Sequence, residues 1–221
     1  MTALTLIRHG ETDWNRDRLI QGSTDIPLND TGRAQARATA AVLRERLDGA
    51  APATIVSSDL ARARETAEII AAELAIAAPL TYRGLRERSY GEAEGVGIDE
   101  FRARWGDWHS AEVPGAEPWP ALRERGIAAL GRVVRDHLRA TAPAAAGPTR
   151  PEAPRDAPAA RGGAAGALIV VTHGALIREM IRHATADELP PVGERLANGS
   201  THDFVYERDH LRLVTYAGLG A

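Results

Sequence analysis

Short apolar runs alternate with amphipathic segments along most of this chain. The first run, Ala3 to Ile7, precedes an Ala-rich segment from Thr31 to Leu47 whose apolar positions recur at helical spacing. A second run, Thr54 to Ser57, precedes a segment with apolar residues every three or four positions from Leu60 to Leu74. Strands that alternate with helices in this way predict a mostly parallel sheet with helices on its faces.

The rest of the chain continues this alternation. Further elements are predicted as two helices and a strand, at Ile98 to Trp108, Trp119 to Leu138 and Ala167 to Val171. Alternating polarity from His202 to Tyr206 and from Leu211 to Tyr216, around a turn at Arg208-Asp209, predicts an antiparallel hairpin. Ser58 or Asp59 is the predicted cap of the helix after the second strand. The predicted fold is α/β: a three-layer sandwich with a mostly parallel central sheet flanked by helices, and a small helical cap region.

One segment interrupts the pattern. Thr141 to Ala167 consists mainly of Ala, Gly and Pro and has no periodicity, so it cannot bury enough apolar surface to offset its ordering entropy. We interpret it as a flexible loop between a helix and a strand, because the piece that follows is too small to form its own core. The prediction is one domain over residues 1–221 with an insert at 141–167.

Composition excludes several classes of function. The chain has 27 basic and 30 acidic residues, a net charge of −3, which gives no bulk attraction for nucleic acid or an anionic membrane. It has no cysteine, which excludes disulfides, thiolate zinc sites and a cysteine nucleophile. No apolar run approaches the roughly 18–20 residues that span a bilayer, and the early first strand leaves no room for a signal peptide. We expect a cytoplasmic protein, and an exposed sheet edge could support a homodimer.

Two His-Gly pairs stand where predicted strands end. His9-Gly10 follows the first strand, and His173-Gly174 follows the strand that ends at Val171. Carboxyl ends of parallel strands meet at one edge of an open α/β sheet, where such sheets bind ligands, so both imidazoles are expected there. With a guanidinium beside one imidazole, this arrangement predicts phosphoryl-transfer chemistry.

The chemistry of these side chains suggests their roles. A neutral imidazole of His9 can attack phosphorus and form a phosphohistidine, and nearby positive charge disfavours the imidazolium. Arg8 and Arg62 are the expected phosphate clamp, because guanidinium forks match phosphate oxygens and helix N–H groups near Arg62 favour an anion. The alternatives are that His9 only forms a hydrogen bond with a carbonyl, and that Arg62 is a solvated arginine paired with Glu65 or Thr66.

Four blocks of sequence occur in a recognisable order. They are Leu6-Ile7-Arg8-His9-Gly10-Glu11-Thr12-Asp13-Trp14-Asn15, Ser57-Ser58-Asp59-Leu60-Ala61-Arg62-Ala63, Leu85-Arg86-Glu87-Arg88-Ser89-Tyr90-Gly91 and Thr172-His173-Gly174. Together they resemble the histidine phosphatase superfamily, the phosphoglycerate-mutase-like group. The resemblance covers nearly the whole chain except the insert.

The resemblance implies further site residues. Glu87 is expected to be the general acid, which needs a carboxyl group that keeps its proton, with Glu92 or Glu94 as alternatives. His173 is expected to donate a hydrogen bond to a phosphoryl oxygen, with free helix N–H groups beside it. The residues expected to complete the substrate pocket are Asn15, Gln21, Gly22 and Gly174, although Asn15 could equally be a turn or cap residue.

The resemblance leaves two destinations for the phosphoryl group. Mutases of the family carry Thr-Gly-Trp where this chain has Gln21-Gly22-Ser23, and Pro114 to Pro118 partly matches the Pro-Gly-Gly-Glu-Ser of the phosphatase branch. We therefore expect a phosphomonoester hydrolase acting on a small phosphorylated metabolite, with a bisphosphoglycerate-dependent phosphoglycerate mutase as the alternative. Neither metal nor cofactor is expected, because two arginines would repel a dication and no His-x₃-His spacing occurs on a predicted helix. A binding module without activity is disfavoured, since the nucleophile, clamp and acid are all present.

Overall fold

A six-stranded mixed sheet runs through the centre of the protein in the computed structural model, which describes residues 1–47, 53–142 and 166–217. The strands are β1 (Thr2–Arg8), β2 (Thr54–Ser57), β3 (Leu80–Thr81), β4 (Leu168–Thr172), β5 (Thr201–Glu207) and β6 (His210–Tyr216). Their order is β3-β2-β4-β1-β5-β6: β3, β2, β4 and β1 pair in parallel, and β5 pairs antiparallel with both β1 and β6. This sheet confirms the predicted α/β class.

Six helices flank the described sheet and its edges. They are α1 (Asp13–Arg16), α2 (Asp30–Arg46), α3 (Ala61–Leu74), α4 (Ile98–Trp105), α5 (Trp119–Thr141) and α6 (Gly174–Ala184). Helix α4 is shorter than predicted, because Gly106 follows it with φ +84°, a left-handed conformation that ends the helix. Helix α5 is longer than predicted and includes Thr141, the first residue of the predicted insert. Residues 143–165 of that insert lie outside the described residues.

The sheet separates two apolar cores, as alternation along its strands requires. Leu168 and Val170 of β4 face a core with α5 and α6, whereas Ile169 and Val171 face a core with α2 and α3. All four residues are at most 1% exposed, so each contributes about 1.5–3 kcal/mol of burial free energy. Burial on both sides explains why β4 reads as a continuous apolar run.

A third, smaller apolar cluster forms the cap region. Phe101 packs on Trp105 and Trp108 with ring centroids 5.5 and 4.7 Å apart, and Tyr90 and Val113 are among the other buried residues of this cluster. These aromatic side chains are therefore the core of the predicted helical cap.

The start of α3 corrects one detail of the sequence prediction. Neither Ser58 nor Asp59 caps this helix: its N-cap is Leu60, and the carboxylate of Asp25 accepts the N–H of Ala61 at 2.7 Å. Asp59 instead binds Arg86 through both carboxylate oxygens. A cap supplied from a distant loop has no local signature, so a search for Ser or Asp beside the helix could not find it.

A tight turn joins β5 to β6. Arg208 and Asp209 have φ values of 48° and 62°, which suit a two-residue turn between antiparallel strands and confirm the predicted hairpin. Within the described ranges, no helix combines the length and the apolar character that a bilayer crossing requires.

Candidate active site

The structure brings the two strand-end histidines together. In the parallel β1–β4 ladder Arg8 pairs with Thr172, so the next residues, His9 and His173, leave the sheet side by side. Their ring centroids are 5.2 Å apart, with an angle of 59° between the rings. A site at the carboxyl edge of the parallel strands is where this sheet type binds ligands.

His9 is buried and held in one tautomer. Its Nδ1 lies 2.7 Å from the carbonyl oxygen of Gly10, and a carbonyl can only accept, so Nδ1 carries the proton and Nε2 the lone pair. Burial lowers the pKa of His9 well below its ordinary value, and the charges of Arg62 and Arg8 lower it further. His9 is therefore neutral at physiological pH. The carbonyl contact and a nucleophilic role are compatible, since they use different nitrogens.

Two arginines lie beside this imidazole. Arg62 is fully buried and donates to the carbonyls of Thr24 at 2.8 Å and Gly22 at 2.7 Å. Arg8 is half-buried, and its Nη1 donates to Leu196. Burial lowers the pKa of each arginine to about 10, with the charge of Glu87 acting in the opposite direction, so both stay protonated at neutral pH. Arg62 is thus no solvated arginine.

The most enclosed polar atoms of the site are unsatisfied. Both ring nitrogens of His173 and the Nε atoms of Arg8 and Arg62 are buried without a hydrogen-bond partner in the described part of the chain. Burial lowers the pKa of His173 well below its ordinary value, with Arg62, His9 and Arg8 contributing. Because unpaired buried polar groups cost about 1–3 kcal/mol each, such a concentration indicates a polar ligand site.

Glu87 occupies the N-terminus of α6. Its Oε2 accepts the N–H of Ala175 at 3.0 Å, and its Oε1 accepts those of Leu176 at 3.3 Å and Arg88 at 2.9 Å. The expectation that free N–H groups of α6 would surround the ligand is therefore wrong for two of them, because a helix N-terminus attracts this carboxylate. Glu87 also lies close enough to Arg8 to raise the pKa of that guanidinium.

The two alternative acids are placed differently. Glu92 is exposed. Glu94 accepts hydrogen bonds from the backbone N–H and the hydroxyl of both Ser23 and Thr24, and from the N–H of Tyr90. Burial acts to raise the pKa of Glu94, but these donors outweigh it and hold the pKa below its usual value. Glu94 therefore organises a loop and is committed as an acceptor.

The predicted substrate-binding residues have distinct environments. The Oδ1 of Asn15 belongs to a capping box with Thr12 and also accepts from Asn198 at 3.2 Å, so the cap alternative is what the structure shows for this oxygen. Gln21 is 8% exposed, with its Oε1 unpartnered among the described residues. A Cβ at Gly174 would lie 3.2 Å from Nε of Arg8, so glycine leaves room for that arginine.

Gly22 has a backbone requirement of its own. Its φ is +58°, a conformation that other residues adopt at a cost, and a Cβ there would lie 2.2 Å from Oε1 of Glu94. The carbonyl of the same residue accepts from Arg62. Gly22 therefore contributes to the site through its backbone.

Comparison with known proteins shows the family of this chain. The sequence profile of the histidine phosphatase superfamily (branch 1) matches residues 4–144. The chain belongs to this superfamily. It is 31% identical to an uncharacterized phosphatase, PhoE, of Bacillus subtilis (strain 168), over 98% of this chain and 94% of that protein. It is 34% identical to phosphoglycerate mutase-like protein 4 of Arabidopsis thaliana, over 82% of this chain and 70% of that protein.

A solved structure shares the fold of this histidine phosphatase. A mycobacterial glucosyl-3-phosphoglycerate phosphatase in complex with VO₃ superposes with a TM-score of 0.74, at 24% identity, over 98% of this chain and 99% of that one. Together the comparisons confirm the predicted superfamily and fit its phosphatase branch. They also include mutase-named relatives.

Several residues around the site of this histidine phosphatase were not found by sequence reasoning. Thr66 is fully buried and links the nucleophile loop to α3, because its hydroxyl accepts the N–H of Gly10 at 3.0 Å and donates to the carbonyl of Arg62 at 2.7 Å. Arg125 binds the segment that carries Glu87. These residues contact the backbone of distant segments, and no spacing along the chain marks such contacts.

Proposed function

We propose that this histidine phosphatase hydrolyses a small phosphomonoester through a phosphohistidine on His9, without a metal ion. The observation that carries the proposal is the neutral His9, whose Nδ1 is bound to the carbonyl of Gly10 and whose Nε2 is left unprotonated, with the positive charges of Arg62 and Arg8 nearby. An imidazole in this state is ready to attack phosphorus. Because the displacement is split into two steps, water attacks the phosphohistidine and does not attack the phosphomonoester directly.

In the first step, Nε2 of His9 forms a bond to phosphorus while the bond to the ester oxygen breaks. Arg8 and Arg62 offset the charge on the equatorial oxygens, the task that Mg²⁺ performs in other phosphoryl-transfer sites. His173, whose ring nitrogens lack protein partners among the described residues, donates to one of these oxygens. The negative charge that develops on the phosphoryl oxygens is therefore stabilised by donors that are already in place.

Glu87 is the proposed proton carrier. A proton on its carboxyl group passes to the departing alkoxide in the first step. In the second step, the carboxylate takes a proton from water as the water oxygen attacks phosphorus and the bond to Nε2 breaks. The products are alcohol, inorganic phosphate and regenerated His9.

The proposal is tested by trapping the intermediate. Brief reaction with a ³²P-labelled phosphomonoester and an alkaline quench should leave acid-labile, base-stable label on His9. His9→Ala should remove the label and at least about a hundredfold of turnover. His183→Ala is the control, because His183 is exposed on α6. Label retained in His9→Ala would refute the assignment.

The mutase alternative is supported by the mutase-named relatives, among them the phosphoglycerate mutase-like protein 4. Isomerisation of monophosphoglycerate, stimulated by 2,3-bisphosphoglycerate, would identify a mutase, whereas release of inorganic phosphate alone identifies the hydrolase. We further propose a single domain over residues 1–221 and a cytoplasmic location. The proposal includes neither a nucleic-acid nor a membrane partner. These last points rest on the composition and patterning of the sequence.

A further inference from the structure

Arg125 of α5 uses every hydrogen-bond donor that it has. Its Nε and Nη2 each donate to the carboxylate of Glu117 at 2.8 Å. Its Nη1 donates to the carbonyls of Gly84 and Arg86, both at 2.9 Å, and its Nη2 also donates to the carbonyl of Glu87 at 3.3 Å. A guanidinium has five N–H donors, and all five are thereby bound within the protein. Arg125 consequently has no donor left for a substrate.

The backbone carbonyls of the segment that Arg125 binds have no partners in a described helix or sheet ladder. A short 3₁₀ turn, Arg83–Leu85, leads into an extended Arg86, so these carbonyls cannot be satisfied by a helix or sheet ladder. The remaining carbonyl, that of Leu85, accepts from the hydroxyl of Thr172 at 2.7 Å. The four consecutive carbonyls of residues 84 to 87 therefore accept hydrogen bonds from two side chains, those of Arg125 and Thr172. Thr172 directly precedes His173 in the chain.

Glu117 extends the same support to the residues after Glu87. Its carbonyl accepts from Nε of Arg88 at 2.7 Å, and its N–H donates to the carbonyl of Ser89 at 2.8 Å. The ion pair between Arg125 and Glu117 is partly enclosed, with the two side chains 27% and 19% exposed. One paired unit thus binds the chain on both sides of Glu87.

We infer that Arg125 is a positioning residue for the reaction, holding the backbone of residues 84–87 so that the Glu87 carboxyl stays at the N-terminus of α6. The inference rests on the proposed role of Glu87 as general acid. A displaced carboxyl group would protonate the leaving oxygen less effectively, because proton transfer requires hydrogen-bond reach. Lysine cannot replace Arg125, since one ammonium with three donors cannot serve three carbonyls and a carboxylate.

The experiment compares leaving groups in the full-length protein. Phosphoenzyme formation is measured with an aryl phosphate, whose leaving group needs little protonation, and with an alkyl phosphate, whose leaving group needs a proton. Arg125→Lys should lower the alkyl rate at least about tenfold more than the aryl rate, the same kind of selective loss that we expect for Glu87→Gln. In a Glu87→Gln background, Arg125→Lys should add little to the selective loss, because both changes act through one carboxyl group.

A matched control lies two residues away. Arg123 is on the same helix, is 28% exposed and binds Glu179 and Asp187, away from the acid segment. Arg123→Lys should therefore leave the alkyl-to-aryl ratio unchanged. If Arg125→Lys does not fold, Glu117→Gln decides the question by the same ratio. It weakens the ion pair that orients the Arg125 guanidinium towards the three carbonyls, so it should shift the ratio in the same sense.

Two results would overturn the inference and are distinguishable. Equal losses on both substrates in the Arg125→Lys or Glu117→Gln variant, while Glu87→Gln remains selective for the alkyl ester, would show that Arg125 only stabilises the fold. If Glu87→Gln itself affects both substrates equally, the acid assignment fails and the positioning role fails with it.

Discussion

Replacement of Thr66 by valine tests how tightly the nucleophile loop is tied to the clamp arginine. Valine has nearly the shape of threonine but no hydroxyl, so Thr66→Val would leave the N–H of Gly10 buried and unpaired. The carbonyl of Arg62 would also lose the hydroxyl at 2.7 Å. Thr66 is fully buried, so water cannot replace the hydroxyl without rearrangement.

The expected cost follows from these two contacts. An unsatisfied buried N–H costs about 1–3 kcal/mol, whereas the carbonyl loses less because it can retain a helical partner. Thr66→Ser keeps the hydroxyl and deletes one buried methyl group, a cost of about 1 kcal/mol. The free energy of unfolding should therefore fall by about 1–3 kcal/mol in the valine variant and by about 1 kcal/mol in the serine variant.

Activity should separate the two variants more clearly than stability. The N–H and carbonyl of Gly10 flank the same α-carbon, and that carbonyl fixes the tautomer of His9. Phosphoenzyme formation should thus slow in Thr66→Val and stay near the parent rate in Thr66→Ser. Urea unfolding and rapid-quench kinetics are the measurements. A valine variant as stable and as fast as the serine variant would refute the argument.

Four further predictions follow from the site and its supporting loop. Because the pKa of His9 is already well below 6.5, phosphoenzyme formation should show no loss with a midpoint near 6.5 as pH falls from 8 to 6, in a pH–rate profile corrected for substrate ionisation. The pKa values of His9 and His202 are lowered in the folded protein, that of His202 to about 4, so the unfolded chain binds more protons than the folded one as pH falls below 6.5. The free energy of unfolding, measured by urea titration at each pH, should therefore decrease from pH 6.5 towards pH 4. Dialysis against EDTA should leave turnover unchanged, and strict restoration by a divalent metal would contradict the role given to the arginines. Gly22→Ala should cost at least about 1–2 kcal/mol of stability because of its positive φ and its contact with Glu94, whereas Gly97→Ala, with open space around its Cβ position, is the control.

The sequence predicts the strand ends of this site well and its supporting contacts poorly. Apolar runs locate β1 and β4, and parallel pairing then requires His9 and His173 to be neighbours, as observed. The contact between Glu87 and α6 depends on two segments 88 residues apart, and nothing near Glu87 indicates it. Charge and hydropathy patterns report which face of an element is buried, but not which distant backbone group a buried polar side chain will meet.

The cap of α3 shows the same limit in a single residue. Asp59 has the chemistry of an N-cap and the right place in the sequence, yet it binds Arg86, and Asp25 takes its role. Two carboxylates and several donors compete within a small volume, and the tertiary arrangement decides which pairs form. Local propensity ranks the candidates but does not select among them.

The central position of β1 affects how this protein is made. Residues 2–8 are synthesised well before their partners in the sheet, because β4 and β5 lie more than 160 residues further along the chain, as the pairing of Leu4 with Leu168 shows. β1 therefore stays unpaired while the residues between it and β4 are synthesised, and its exposed apolar side chains can bind chaperones or associate wrongly during that time. Such long loop closures also slow folding. Catalysis should accordingly appear late and all at once during synthesis, and fragments that lack β4 and β5 should have none.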